Sequence, residues 1–99
     1  MVRKLAPITP GYLLKTEFLE PMGISQNQLA RDINVPPNRI SQIVRGKREI
    51  SADTALRLGF YFNIEPEFWL NLQTRFNLKE VQERAGKKIE GEVHAVRAA

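Results

Sequence analysis

The stretch Ser25-Gln26-Asn27-Gln28-Leu29-Ala30-Arg31-Asp32-Ile33-Asn34-Val35-Pro36-Pro37-Asn38-Arg39-Ile40-Ser41-Gln42-Ile43-Val44-Arg45 decides the fold. Ser25 is a helix N-cap, and Gln28 three residues later completes a capping-box pattern. Leu29, Ala30 and Ile33 recur at helical spacing and form a buried stripe. Asn34 follows where the chain must turn, and Asn tolerates the left-handed backbone better than other non-glycine residues. Val35 points inward from that corner. Pro37 stands at the first turn of the next helix, where its missing N–H is not needed. Ile40, Ile43 and Val44 make the inward stripe of this helix, and Gly46 ends it. Ala30 is small enough for two helices to cross closely. Residues 26–45 are therefore expected to form a helix-turn-helix unit.

The outward residues give that unit its chemistry. Asn38 and Gln42 lie four apart on one helix face, and both amides can pair bidentately with adenine in a major groove. Arg39 reads guanine or holds a phosphate, and Pro37 can touch a thymine methyl. Ser41 shares the outward surface. Gln26 and Asn27, at the start of the preceding helix, suit a phosphate grip. Residues 36–48 carry Arg39, Arg45, Lys47 and Arg48 and no acid. Such a run is either a solvated face or, as the neighbouring signals favour, a contact for the nucleic-acid backbone. Arg45, Lys47 and Arg48 are assigned to the flanking phosphates.

Outward from the unit, the pattern is helical throughout. Thr9-Pro10 reads as a helix start, with Leu13, Leu14, Glu17 and Phe18 at helical spacing and Pro21 and Gly23 as the stop. Ser51 caps a fourth helix with Asp53 in its first turn. Its core face is expected from Ala52, Ala55, Leu56 and Phe60, and Asn63 closes it. Pro66 opens a fifth helix in which Phe68, Trp69, Leu72 and Phe76 recur at intervals of three or four. Residues 78–85 continue or restart it before Gly86. The expected organisation is an all-α, five-helix domain over residues 10–85. An extended lead-in precedes it over 1–9, and a tail over 86–99 could be a short strand, a frayed helix or disordered.

Composition narrows the function. The 99 residues, 42% hydrophobic and 26% charged, make one domain. The formal charge of +4 favours a polyanionic partner. With no cysteine, disulfides and thiolate metal sites are excluded. No metal site and no cofactor are expected. No apolar run is long enough to span a membrane, and the chain is read as cytoplasmic. Catalysis fares badly: His94 is the lone histidine, there is no glycine-rich phosphate loop, and Asp32 and Asp53 read as helix-surface charges. The segment Glu67-Phe68-Trp69-Leu70-Asn71-Leu72-Gln73 is either core or part of a dimer interface, for which Trp69, Leu70, Phe76 and Leu78 are the candidates.

Several segments resemble one family. Ser25-Gln26-Asn27-Gln28-Leu29-Ala30, Pro36-Pro37-Asn38-Arg39-Ile40-Ser41, Gly46-Lys47-Arg48, Ile50-Ser51-Ala52-Asp53-Thr54-Ala55-Leu56-Arg57-Leu58 and the aromatic segment are similar, in order, to the HigA-type antitoxins. These are also called virulence-associated protein I-like, within the lambda-repressor-like (XRE) superfamily. Pro10-Gly11 and Phe18-Leu19-Glu20-Pro21 match as well, so the resemblance covers about residues 7–85. It implies a bacterial type II antitoxin that binds double-stranded DNA at a palindromic operator as a homodimer and represses its own operon. It also implies direct neutralisation of a HigB-type toxin, an mRNA endonuclease. The family's recognition helix maps onto residues 37–45. A stand-alone XRE-type repressor without a toxin is the alternative.

Overall fold

Five helical segments follow one another in the computed structural model, which describes residues 8–97. The first seven residues of the expected lead-in lie outside the described residues. Helix α1 covers residues 10–22 in three registers: an α-turn at Pro10–Leu13, a π-helical stretch at Leu14–Leu19 and a closing turn at Glu20–Met22. Thr9 caps it, its hydroxyl accepting from the Tyr12 N–H at 3.0 Å. Pro21 does not stop this helix, contrary to the sequence expectation. In a regular α-helix its ring would meet the carbonyl four residues back. Here the wider i→i+5 turn precedes it, with the Glu20 N–H bonded to the Lys15 carbonyl. The same widening serves packing. Leu14 and Leu19 are both buried, although five residues of ordinary α-helix would set them about 140° apart.

Helices α2 (Gln26–Ile33) and α3 (Pro37–Val44) form the expected helix-turn-helix. The Ser25 hydroxyl accepts from the Gln28 N–H at 3.0 Å. Asn34 takes up the left-handed conformation, φ 60° and ψ 53°. There its N–H reaches the Arg31 carbonyl at 3.2 Å and the Val35 N–H reaches the Ala30 carbonyl at 3.0 Å, which together satisfy the end of α2. Gly46, at φ 74°, closes α3 in the same way, through its own N–H and that of Lys47.

Helix α4 (Ala52–Phe62) is capped by Ser51 and closed by a left-handed Asn63. Its expected core face needs correction. Ala55 is buried, but Ala52 and Leu56 are exposed and Phe60 is 81% exposed. The buried residues are Thr54, Ala55, Leu58 and Gly59. The physical reason lies at Gly59, where a side chain would meet the Ile64 carbonyl oxygen at 2.7 Å and the Pro66 ring. That glycine lets the chain entering the last helix fold back against α4, and so fixes which side of α4 faces inward.

Helix α5 (Pro66–Glu92) runs 27 residues. The expected boundary at 85 and the tail from 86 are therefore corrected. Gly86 costs about 1 kcal/mol against alanine in a helix interior, but Glu83, Arg84, Ala85, Lys87 and Lys88 around it are all good helix formers. Lys88 also pairs with Glu92 at 3.9 Å, one turn apart. Only residues 93–97 follow as non-helical chain among the described residues.

The core draws on every helix: Leu14, Leu19, Leu29, Ala30, Ile33, Ile40, Ile43, Ala55, Leu58 and Trp69, with Val35 and Ile50 from the connections. Beside it Phe18 packs at a tilt against Phe62 and Trp69, with ring centroids 5.0 and 4.9 Å apart. This aromatic contact clamps the first helix to the last two.

Candidate nucleic-acid interface

Three contacts mount α3 on the rest of the molecule. Ile40 and Ile43 are buried beneath it. Gly11 of α1 lies against the Ile43 backbone so closely that a Cβ there would overlap the carbonyl oxygen. Gln73 of α5, itself buried, accepts from the Ile50 N–H at 2.8 Å and so anchors the connection that follows α3. Gln73 is held in turn: its amide donates to Asn77 Oδ1 at 3.0 Å, and Asn77 donates to Glu49 at 3.3 Å.

With its inner face fixed, α3 turns Pro37, Asn38 and Arg45 to solvent, while Arg39, Ser41 and Gln42 are half-buried along its flanks. Asn27 is exposed and Gln26 half-buried at the start of α2, and Lys47 and Arg48 are exposed beyond α3. Asn38 makes no side-chain hydrogen bond among the described residues. Gln42 does: Arg48 Nη1 donates to its Oε1 at 3.2 Å. That bond fixes which way the amide points and leaves the NH2 group as the outward donor. Arg45 Nε reaches back to the Ser41 carbonyl at 3.4 Å.

Arg39 is not free in the way the sequence suggested. Its Nη1 lies 3.4 Å from Asp53 Oδ1 on α4. The same oxygen accepts from Arg57 Nε at 2.7 Å. Arg57 also spans to the end of α2, donating to the Ile33 carbonyl at 2.9 Å and the Asn34 carbonyl at 3.4 Å. A cation there answers the orphan carbonyls and the negative end of the α2 dipole. The Arg57 hydrogen bond, with the charges of Arg57 and Arg39, holds the Asp53 carboxyl below the usual carboxylate range. Asp53 is thus a surface charge, as its position implied, but one that ties α4 to both halves of the helix-turn-helix. The i,i+4 spacing of Asp53 and Arg57 was visible in the sequence. The reach of Arg57 back to Ile33 had no local signal, and neither did Gln73.

Of the residues expected at a dimer surface, Trp69 has no exposure and belongs to the core. Its indole fills the space between α1 and α4, so it has no surface to offer a second copy. Leu70 and Phe76 are half-buried, and Leu78 is 56% exposed.

Among the described residues no helix is long and apolar enough to cross a membrane, and no cluster of His, Cys, Asp or Glu could hold a metal. A short helix held by its inner face, with amides and guanidiniums outward and its partner helix braced across a left-handed Asn turn, defines a helix-turn-helix DNA-binding regulator. Residues 16–69 match the helix-turn-helix family model HTH_3. The chain belongs to that family and, within it, to the HigA-type antitoxins. Virulence-associated protein I of Dichelobacter nodosus is 46% identical over 80 residues, covering 81% of this chain and 74% of that protein. The Pseudomonas aeruginosa antitoxin HigA, solved with the higBA promoter, is 43% identical with a TM-score of 0.87, over 92% of this chain and 99% of that one. An addiction module antidote protein of the HigA family from Coxiella burnetii is 46% identical with a TM-score of 0.87, over 93% and 100%. This is a family of DNA-binding regulators, not of enzymes.

Proposed function

We propose that this protein is the antitoxin of a type II toxin–antitoxin pair. As a homodimer it binds a palindromic operator, represses its own operon, and neutralises a HigB-type mRNA-cleaving toxin by direct contact. The observation that carries the DNA-binding part is the outer surface of α3, where Asn38 and Gln42 stand over a buried Ile40–Ile43 seam. In this reading Asn38 and Gln42 contact base edges and Pro37 meets a thymine methyl. Gln26, Asn27, Ser41, Arg45, Lys47 and Arg48 hold the backbone. The similarity to an antitoxin solved with its promoter supports the operator as the target.

A homodimer presents two recognition helices to half-sites about 34 Å apart. For the second copy, Leu78 is the expected residue that the fold leaves open. It continues along α5 into Val81 and Ile89 and, just past the helix end, Val93, which with Gly86 and Ala95 line an apolar groove of about 470 Å³. A gel shift with the promoter of the protein's own operon tests the repressor. Co-expression with the adjacent small gene tests the antitoxin. Operator binding without rescue from toxicity leaves a stand-alone repressor.

A further inference from the structure

We propose that Asp53 restrains DNA binding to every sequence by competing with the phosphate backbone for the Arg39 guanidinium. The inference rests on the DNA-binding reading above. Residues 33–48 contain no acid, so Asp53 is the carboxylate that the fold brings to the flank of the recognition helix. The two bonds to its Oδ1 are unequal. Arg57 Nε, at 2.7 Å, makes a short charge-assisted hydrogen bond. Arg39 Nη1, at 3.4 Å, is at the limit of contact. Arg57 is fixed at its other end by the Ile33 and Asn34 carbonyls. Asp53 is therefore anchored and cannot follow Arg39 if that side chain moves.

Release of Arg39 is correspondingly easy. Asp53 keeps Arg57 as its counter-charge when Arg39 leaves, so no bare carboxylate remains. An exposed ion pair of this kind shifts an equilibrium by no more than a factor of about five. The docked pose also leaves Arg39 Nε buried with no hydrogen-bond partner among the described residues. A phosphate would meet that donor and its neighbours together. Arg39, 26% exposed, thus waits beside the DNA-facing surface and is not a standing part of it. Phosphates are present on every duplex, so a restraint on one arginine weakens binding to all sequences.

The test uses the full chain and four versions of it: wild type, Asp53→Asn, Arg39→Ala and the double variant. Affinity is followed by fluorescence anisotropy for the promoter duplex and for an unrelated duplex. Asparagine keeps an oxygen for Arg57 but loses the charge that holds Arg39. Between about 50 and 200 mM salt, Asp53→Asn should bind the unrelated duplex roughly two- to fivefold more tightly, with a salt slope steeper by about 0.9. The promoter duplex should gain by about the same factor, and the double variant should behave like Arg39→Ala. A gain that persists without Arg39 would come from Asp53's own charge and would overturn the inference. So would weaker binding by Asp53→Asn, which would make the residue only a brace. If wild type fails to prefer its promoter, the DNA-binding reading itself falls, and that outcome is distinct from the other two.

Discussion

Gly11 of α1 lies directly against the backbone carbonyl of Ile43 in α3, with no room for even a methyl group between them. The obstacle is main chain, which cannot swing aside as the end of a side chain would. The position of the recognition helix is therefore set by contact with a residue two helices away. Gly11→Ala should cost about 3 kcal/mol, the upper end for overpacking. The loss is measured as a fall in the urea midpoint with an unchanged slope. Operator affinity should drop further than the unfolded fraction explains, because α3 must move.

Gln73 makes a second prediction. Its Oε1 is the partner of the buried Ile50 N–H. Gln73→Leu keeps the volume and leaves that N–H unpaired, at a cost of about 1–3 kcal/mol. Amide exchange at Ile50 should quicken more than exchange at Leu29 in α2. Equal change at both sites would mean that global stability fell and no local anchor was lost.

The recognition surface predicts a division of labour. Asn38→Ala combined with Gln42→Ala should abolish preference for the operator while leaving rescue from the toxin intact. Loss of rescue as well would place toxin contacts on α3. Arg45→Ala and Lys47→Ala should weaken binding to every sequence and each reduce the salt slope by about one. Arg48→Ala should behave differently, since Arg48 also orients the Gln42 amide. It should lower the slope and also relax base preference under Gln42.

The apolar side of α5 predicts the assembly. Leu78→Asp or Ile89→Asp should convert the proposed dimer to a monomer in sedimentation, with the helical content of the domain retained. Trp69 substitutions should instead unfold the chain, because Trp69 is core.

Two titrations follow from the surface network. The Tyr61 hydroxyl donates to Asp32 Oδ2 at 2.8 Å. That bond, together with burial and the Asp32 charge, raises the phenol above its ordinary value. Its contribution to stability is complete below about pH 10 and is lost as pH rises through the raised value. Asp32→Asn should bring the tyrosinate absorbance transition down. Asp53, lowered by Arg57 and Arg39, acts in the opposite direction. Its contribution is present above about pH 4 and is lost as pH falls through the depressed value.

How far the sequence discloses all this depends on distance along the chain. Ser25, Asn34, Pro37 and Gly46 act on backbone within a turn of themselves, so the helix-turn-helix was legible residue by residue. The face of α4 was not. Its apolar residues ring much of the helix, and only the contact of Gly59 with residues 64 and 66 decides which of them are covered. Periodicity alone chose Leu56 and Phe60, which are exposed. The end of α5 was missed because Gly86 reads as a stop, while the strong helix formers around it outweigh one glycine. The outward residues of α3 were likewise named from spacing. That Arg39 is tied to Asp53 and Gln42 to Arg48 depends on side chains six to fourteen positions apart, and no local pattern announces such meetings.

The π-helical stretch in α1 gives the first helix a spare link. A regular α-helix that lost one residue would rotate everything beyond the cut by about a quarter-turn, and Leu19 would leave the core. Here the wide turn between Leu14 and Leu19 already holds one residue more than an α-helix needs. Shortening the chain by one within it would tighten the coil and keep both leucines facing inward, but would bring the Pro21 ring against the carbonyl four residues back. The first helix can thus lose a residue at this place and keep the bearings of both its ends only if Pro21 is replaced as well.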